Sequence, residues 1–228
     1  MVDAALIDWE GVLADTAAAR RDALLRALDD EGVPFRSLEY VAHCEGRAVH
    51  VAAAQAFESV GRNDPTLMDL VALRATRAFA ERLGKGFVLM PGARELVERL
   101  QSTSRLGIVT TATRTETEFV LRLAGLDAAV SIIVSADDGL ALPPAPAMYE
   151  RAVEMLRRVR PMQRNRVIAI APTSAALRAA RAAGLRTIAV GAPAHVAVDA
   201  DGAVTDLVGV TTLELTRLAG IAAVERTS

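Results

Sequence analysis

The sequence predicts an α/β protein: a parallel sheet flanked by helices, with an all-helical cap inserted after the first strand. Three observations predict it. From residue 93 onward, short apolar runs alternate with longer amphipathic stretches, the spacing of strand–helix units in a sheet covered on both faces. One further apolar run, residues 4–8, stands far ahead of that series. The region between the two reads only as helix.

Taken in order, residues 4–8 are too short and too apolar for a surface helix, and the Trp9-Glu10-Gly11 turn bounds them, so they form a buried strand. Thr16 then precedes a helical pattern whose stripe is Leu24, Leu25 and Leu28, with Gly32 as its stop. Helices are expected over residues 48–60 and 65–83, and Gly84-Lys85-Gly86 breaks the pattern. Pro91-Gly92 opens a helix over 93–100. The period then changes: strands over 106–110, 131–134, 167–171 and 187–190 alternate with helices over 116–123, 147–158 and 174–183. This division gives a discontinuous core, residues 1–16 and 84–228, and a helical cap, residues 17–83.

Bulk properties narrow the function. With 228 residues and 52% hydrophobic composition, the chain can bury a full core plus a smaller domain. A formal charge of −2 leaves no global field that favours nucleic acid or anionic lipid. The basic run Arg157-Arg158-Val159-Arg160 falls at a helix end, where cations complement the dipole. Cys44 is the sole cysteine, which fits a reducing cytoplasm, and no run of 18 apolar residues suggests a membrane span. Of the 26 basic residues only Lys85 is lysine, so any chemistry that needs an ammonium has one candidate. Apolar helical faces leave monomer and homodimer equally open.

In such a sheet, ligands sit beyond the carboxyl ends of the strands. Asp8, Thr110, the loop after residue 134 and the turn at residues 171–173 all lie there. A carboxylate at Asp8 can attack phosphorus, provided that cations and backbone donors offset the phosphate charge. Glu10, two residues on, is placed to act as general acid or base. Thr110 and Thr111 offer hydroxyls and nearby N–H groups to phosphate oxygens. The alternatives are that Asp8 and Asp15 cap turns and the first helix, and that the threonines simply end a strand.

Together these residues resemble the haloacid dehalogenase superfamily, in particular its phosphatase and phosphoglucomutase-like branch with a helical cap. The first motif resembles Leu6-Ile7-Asp8-Trp9-Glu10-Gly11-Val12-Leu13-Ala14-Asp15-Thr16, with Glu10 where the family has a second aspartate. Gly107-Ile108-Val109-Thr110-Thr111 resembles the second, and Met90-Pro91-Gly92-Ala93 the return from cap to core. Pro144-Ala145-Pro146-Ala147-Met148-Tyr149 resembles the third, with Pro143 at the lysine position. Arg166 to Thr173 resembles the fourth, with Ala171-Pro172 in place of an acidic pair.

The resemblance implies a Rossmann-like core and a phospho-Asp8 intermediate. It also implies magnesium held by Asp8, the backbone carbonyl of Glu10 and the residue at 172. Proline has no side-chain oxygen to give, and Mg²⁺ demands near-octahedral oxygen ligation. Three replacements are open: Lys85 swinging in from the cap hinge, Asp137 and Asp138 as displaced metal ligands, and Arg114 as a phosphate contact. In the cap, Gly46 and Arg47 sit where relatives present a specificity loop, and Arg20 stands where mutase-like relatives have a histidine. His43, His50 and His195 form no motif.

The expected function is a family protein with a degraded phosphotransfer site, weak or no catalysis, no cofactor and a binding or regulatory role. The alternative is a Mg²⁺-dependent phosphohydrolase of a small phosphorylated metabolite. Neither reading calls for nucleic acid or membrane.

Overall fold

A computed structural model describes residues 2–159 and 161–221 of the chain. Its strands are β1 (Ala4–Ile7), β2 (Arg105–Val109), β3 (Ile132–Val134), β4 (Val167–Ala171), β5 (Arg186–Val190) and β6 (Gly202–Val204). They form one sheet in the order β3-β2-β1-β4-β5-β6, every neighbouring pair parallel. Five helices separate β1 from β2: α1 (Ala17–Asp30), α2 (Ser37–His43), α3 (Val49–Ser59), α4 (Pro65–Gly84) and α5 (Ala93–Gln101). Thereafter α6 (Arg114–Ala124), α7 (Ala147–Val159) and α8 (Ser174–Ala182) connect successive strands, and α9 (Ala194–Ala197) and α10 (Thr212–Leu218) follow β5 and β6.

The predicted fold class is thus the observed one, a parallel sheet flanked by helices with a helical cap inserted after β1. Strand pleating explains why β1 and β4 are apolar throughout. Ala5, Ile7, Ile168 and Ile170 face one layer with Leu96, Leu100 and Leu215, whereas Ala4, Leu6, Val167 and Ala169 face the opposite layer with Met148, Tyr149, Val153 and Leu156. The short elements α2, β6, α9 and α10 were not anticipated. Each is seven residues or fewer, too short for a period to register. Arg157 and Arg158 fall in the last turn of α7, and Arg160 lies outside the described residues.

The inserted helices have their own apolar centre, where Leu24, Leu28, Phe35, Tyr40, Phe57 and Val71 meet. Phe79 and Leu83, at the far end of α4, pack instead into the layer over the sheet. The two connectors run side by side: Ala14 bridges Leu89, and the Met90 N–H donates to the Leu13 carbonyl at 2.8 Å. Gly92 follows at φ +79°, where a Cβ would stand 2.3 Å from the Leu207 backbone, so only glycine fits there. Among the described residues, no helix is long and apolar enough to cross a membrane.

Candidate active site

The chain leaves β1 at the centre of the sheet, runs outward on one side through β2 and β3, and returns to β4 on the other side. The switch point therefore lies at the carboxyl end of β1, where a parallel sheet opens a crevice. Asp8 is the residue there, and its N–H donates to the Ile170 carbonyl at 3.0 Å. Buried Thr110 follows β2, and its Oγ1 accepts from the Ala112 N–H at 3.1 Å. Above them a cleft opens between sheet edge and cap, with Glu10, Thr110 and Thr111 on the core side and Arg20, Tyr40, Gly46 and Arg47 on the cap side.

Asp8 is short of positive charge. Burial is the main cause that pushes its carboxyl up to about 7, and the nearby Glu10 carboxylate adds to the rise, while a hydrogen bond from the Glu10 backbone and the more distant Arg20 oppose it. Tyr149 lies buried in the layer beneath, its phenol raised by burial and by the proximity of Asp8. Glu10 is already engaged: it accepts from the Thr16 N–H at 2.8 Å and from the Thr16 hydroxyl.

The cation nearest Glu10 is Arg20, on α1. Its Nη2 stands 3.9 Å from Glu10 Oε2, and its Nη1 donates at 2.7 Å to Glu116 Oε2 on α6. The guanidinium also lies against two rings, 5.5 Å from the centroid of Trp9 and 5.1 Å from that of Phe79. Glu116 is buried and additionally accepts from the Thr113 N–H at 3.2 Å, which closes a capping box at the start of α6. Sequence reasoning missed Glu116, Tyr40 and the Trp9–Phe79 clamp. The Thr113-x-x-Glu116 spacing announced a helix start but not a partner 96 residues away.

The replacement candidates lie elsewhere. Arg114 donates through its backbone N–H to Asp137 at 2.6 Å and through Nη2 to the Ile133 carbonyl at 2.9 Å, and it pairs with Asp138 at 3.3 Å. Asp138 also accepts from the Ser135 N–H at 2.8 Å. These three residues form a knot around the loop after β3 and do not line the cleft. Lys85 is exposed at the end of α4 and does not line it either. Arg47 is exposed on the cap rim, its Nε donating to the His43 carbonyl at 3.0 Å, and the three histidines are exposed.

The donors fit the implied magnesium ion poorly. Among the described residues, no group of three or more His, Cys, Asp or Glu could hold a metal. At residue 172, where the resemblance implies a ligand, stands a proline whose ring packs against the turn so closely that a Cβ on Gly11 would meet it at 3.0 Å. An apolar ring cannot replace the missing oxygen, and the acids of the neighbouring loop are already bonded.

Comparison with known proteins bears on the family and the fold. The profile of a family described as haloacid dehalogenase-like hydrolase matches residues 5–190. No curated protein sequence shows significant similarity. Among solved structures, CbbY from Rhodobacter sphaeroides in complex with phosphate is 24% identical, with a TM-score of 0.78 over 92% of this chain and 96% of that one. A β-phosphoglucomutase from Clostridium difficile is 16% identical, with a TM-score of 0.80 over 96% and 98%. The HAD-hydrolase YfnB from Bacillus subtilis, bound to magnesium, is 19% identical, with a TM-score of 0.65 over 96% and 99%.

Proposed function

The chain belongs to the haloacid dehalogenase-like hydrolase family, and from that premise we propose that its cleft binds a small phosphorylated metabolite while turning it over weakly or not at all, in a binding or regulatory role. The observation that carries this reading is the charge around Asp8. Its carboxyl is pushed up to about 7, chiefly by burial and next by the Glu10 carboxylate, and proline stands at 143 and 172, where the family resemblance implies a lysine and an acid. Each lost charged partner at a buried site costs roughly 2–5 kcal/mol, and two such losses remove several orders of magnitude in rate. A cytoplasmic location and a small-molecule partner fit the balanced charge and the lone buried Cys44.

A second reading, a Mg²⁺-dependent phosphohydrolase, is favoured by the family match and by likeness to a phosphate-bound and a magnesium-bound relative. In it, a carboxylate oxygen of ionised Asp8 attacks phosphorus and the ester P–O bond breaks. The departing alkoxide takes a proton, and water then cleaves the acyl phosphate. Thr110 and the Pro144-Ala145-Pro146 turn, retained here, are consistent with it.

Turnover of a panel of small phosphate esters, measured with and without Mg²⁺ beside Asp8→Asn, separates the two. We expect rates indistinguishable from those of the Asp8→Asn protein, with saturable ligand binding intact. Mg²⁺-dependent turnover that Asp8→Asn abolishes would instead establish the hydrolase.

A further inference from the structure

Resting on the binding reading above and deepening it, we infer that this cleft takes its oxyanion without a divalent cation, with Arg20 as the fixed counter-charge. The first ground is the mismatch between the implied metal and its donors: residue 172, where the resemblance implies a ligand, is a proline whose ring packs on Gly11, and Asp137 and Asp138 are bonded to Arg114.

The second ground is the way Arg20 is held. Its side chain is 11% exposed, fixed at one edge by the 2.7 Å hydrogen bond to Glu116 and clamped by the Trp9 and Phe79 rings. The other edge faces Glu10 at 3.9 Å, beyond hydrogen-bond reach, and Glu10 is occupied by Thr16. Nη2 therefore has a charged neighbour but makes no hydrogen bond to it. A phosphate or other small oxyanion in the cleft can take that donor without breaking the bond to Glu116.

The third ground is the lining. Arg20, Arg21 and Arg47 outnumber Glu10 and Glu45, and Thr110 and Thr111 stand on the facing wall. Arg21 is paired with Asp22 at 2.9 Å, so Arg20 and Arg47 are the cations of the lining that a small oxyanion could engage.

Trp9 is the only tryptophan and lies beside Arg20, so its fluorescence reports on this place alone. Inorganic phosphate titrated into the full-length protein in EDTA should change that fluorescence saturably, and added Mg²⁺ should leave the affinity unchanged. Arg20→Gln should weaken binding about 10- to 100-fold, the loss expected for one charge-assisted hydrogen bond. If Arg20→Gln fails to fold, Pro172→Asp keeps Arg20 in place and should make phosphate binding tighten with Mg²⁺.

Wild-type binding that requires Mg²⁺ would overturn the inference and leave the binding reading standing. Binding in EDTA that is indifferent to Arg20 would overturn the assignment of the counter-charge. A Pro172→Asp protein indifferent to Mg²⁺ would count against the ground for metal exclusion. No binding in either buffer would overturn both this inference and the reading beneath it.

Discussion

Asp8 holds the position of a nucleophile, half-buried at the carboxyl end of β1. Its carboxyl rises from an ordinary value near 3.8 to about 7, chiefly through burial, so the folded protein binds a proton there that the unfolded chain has lost. The sign follows from linkage. Below about pH 4 both states are protonated and the residue costs nothing; between about 4 and 7 the native state holds the extra proton and stability falls as pH rises; above 7 the full cost is present. Asp8→Asn removes the titration. It should therefore stabilise the protein at pH 8 by a few kcal/mol, at about 1.4 kcal/mol per pK unit, and hardly at all at pH 4. Denaturant melts of both proteins at the two pH values test this, and an equal gain at both would mean that Asp8 is not held near neutrality. Neither the shift nor its cause could be read from the sequence, because Asp8 in a turn looks the same whether or not a cation answers it.

Among the described residues, the charged contact that joins α1 and α6 across the cap–core seam is Arg20 to Glu116, whose side chains are 11% and 1% exposed. Solvent and salt screen such a pair little, and removing one partner strands the other in a poorly hydrated place. Glu116→Gln keeps an acceptor for the Thr113 N–H but removes the charge. It should destabilise by about 3 kcal/mol, the low end for a broken buried pair, since Glu10 remains beside the other edge of the guanidinium. Adding Arg20→Met should recover much of that loss, because an apolar chain suits the space between Trp9 and Phe79. A double-mutant cycle in urea measures both steps, and additive losses would show that the two helices are not coupled through this pair. The elements themselves were legible: the β1 and β4 runs and the α5 to α8 spacing are local signals. The pair was not, since Arg20 was read only as the cap residue at the mutase-like histidine position and Glu116 only as the start of a helix, and folding alone brings the two together.

At the scale of the whole molecule, the cleft is lined by segments between residues 10 and 112, and the sheet order brings the carboxyl ends of β1, β2 and β4 to the edge beside it. That convergence could be argued from the sequence because parallel strands present their carboxyl ends together. What fills the edge could be argued only in part. Pro143 and Pro172 were visible as departures, but the packing of the Pro172 ring on Gly11, and the commitment of Asp137 and Asp138 to Arg114, required the fold. If the scaffold is otherwise sound, the missing charges are the main cause of lost turnover, and restoring them should recover it. Pro143→Lys with Pro172→Asp should raise Mg²⁺-dependent hydrolysis of a small phosphate ester by at least about 100-fold over wild type, since one charge-stabilising contact is typically worth 10²–10³ in rate. Each single substitution should give less than its share, because lysine and acid act on the same phosphoryl group. The assay is run beside Asp8→Asn in the double background, which should return the rate to baseline. A folded double variant with no gain would move the defect to Glu10, whose carboxylate is tied to Thr16 and held near Arg20.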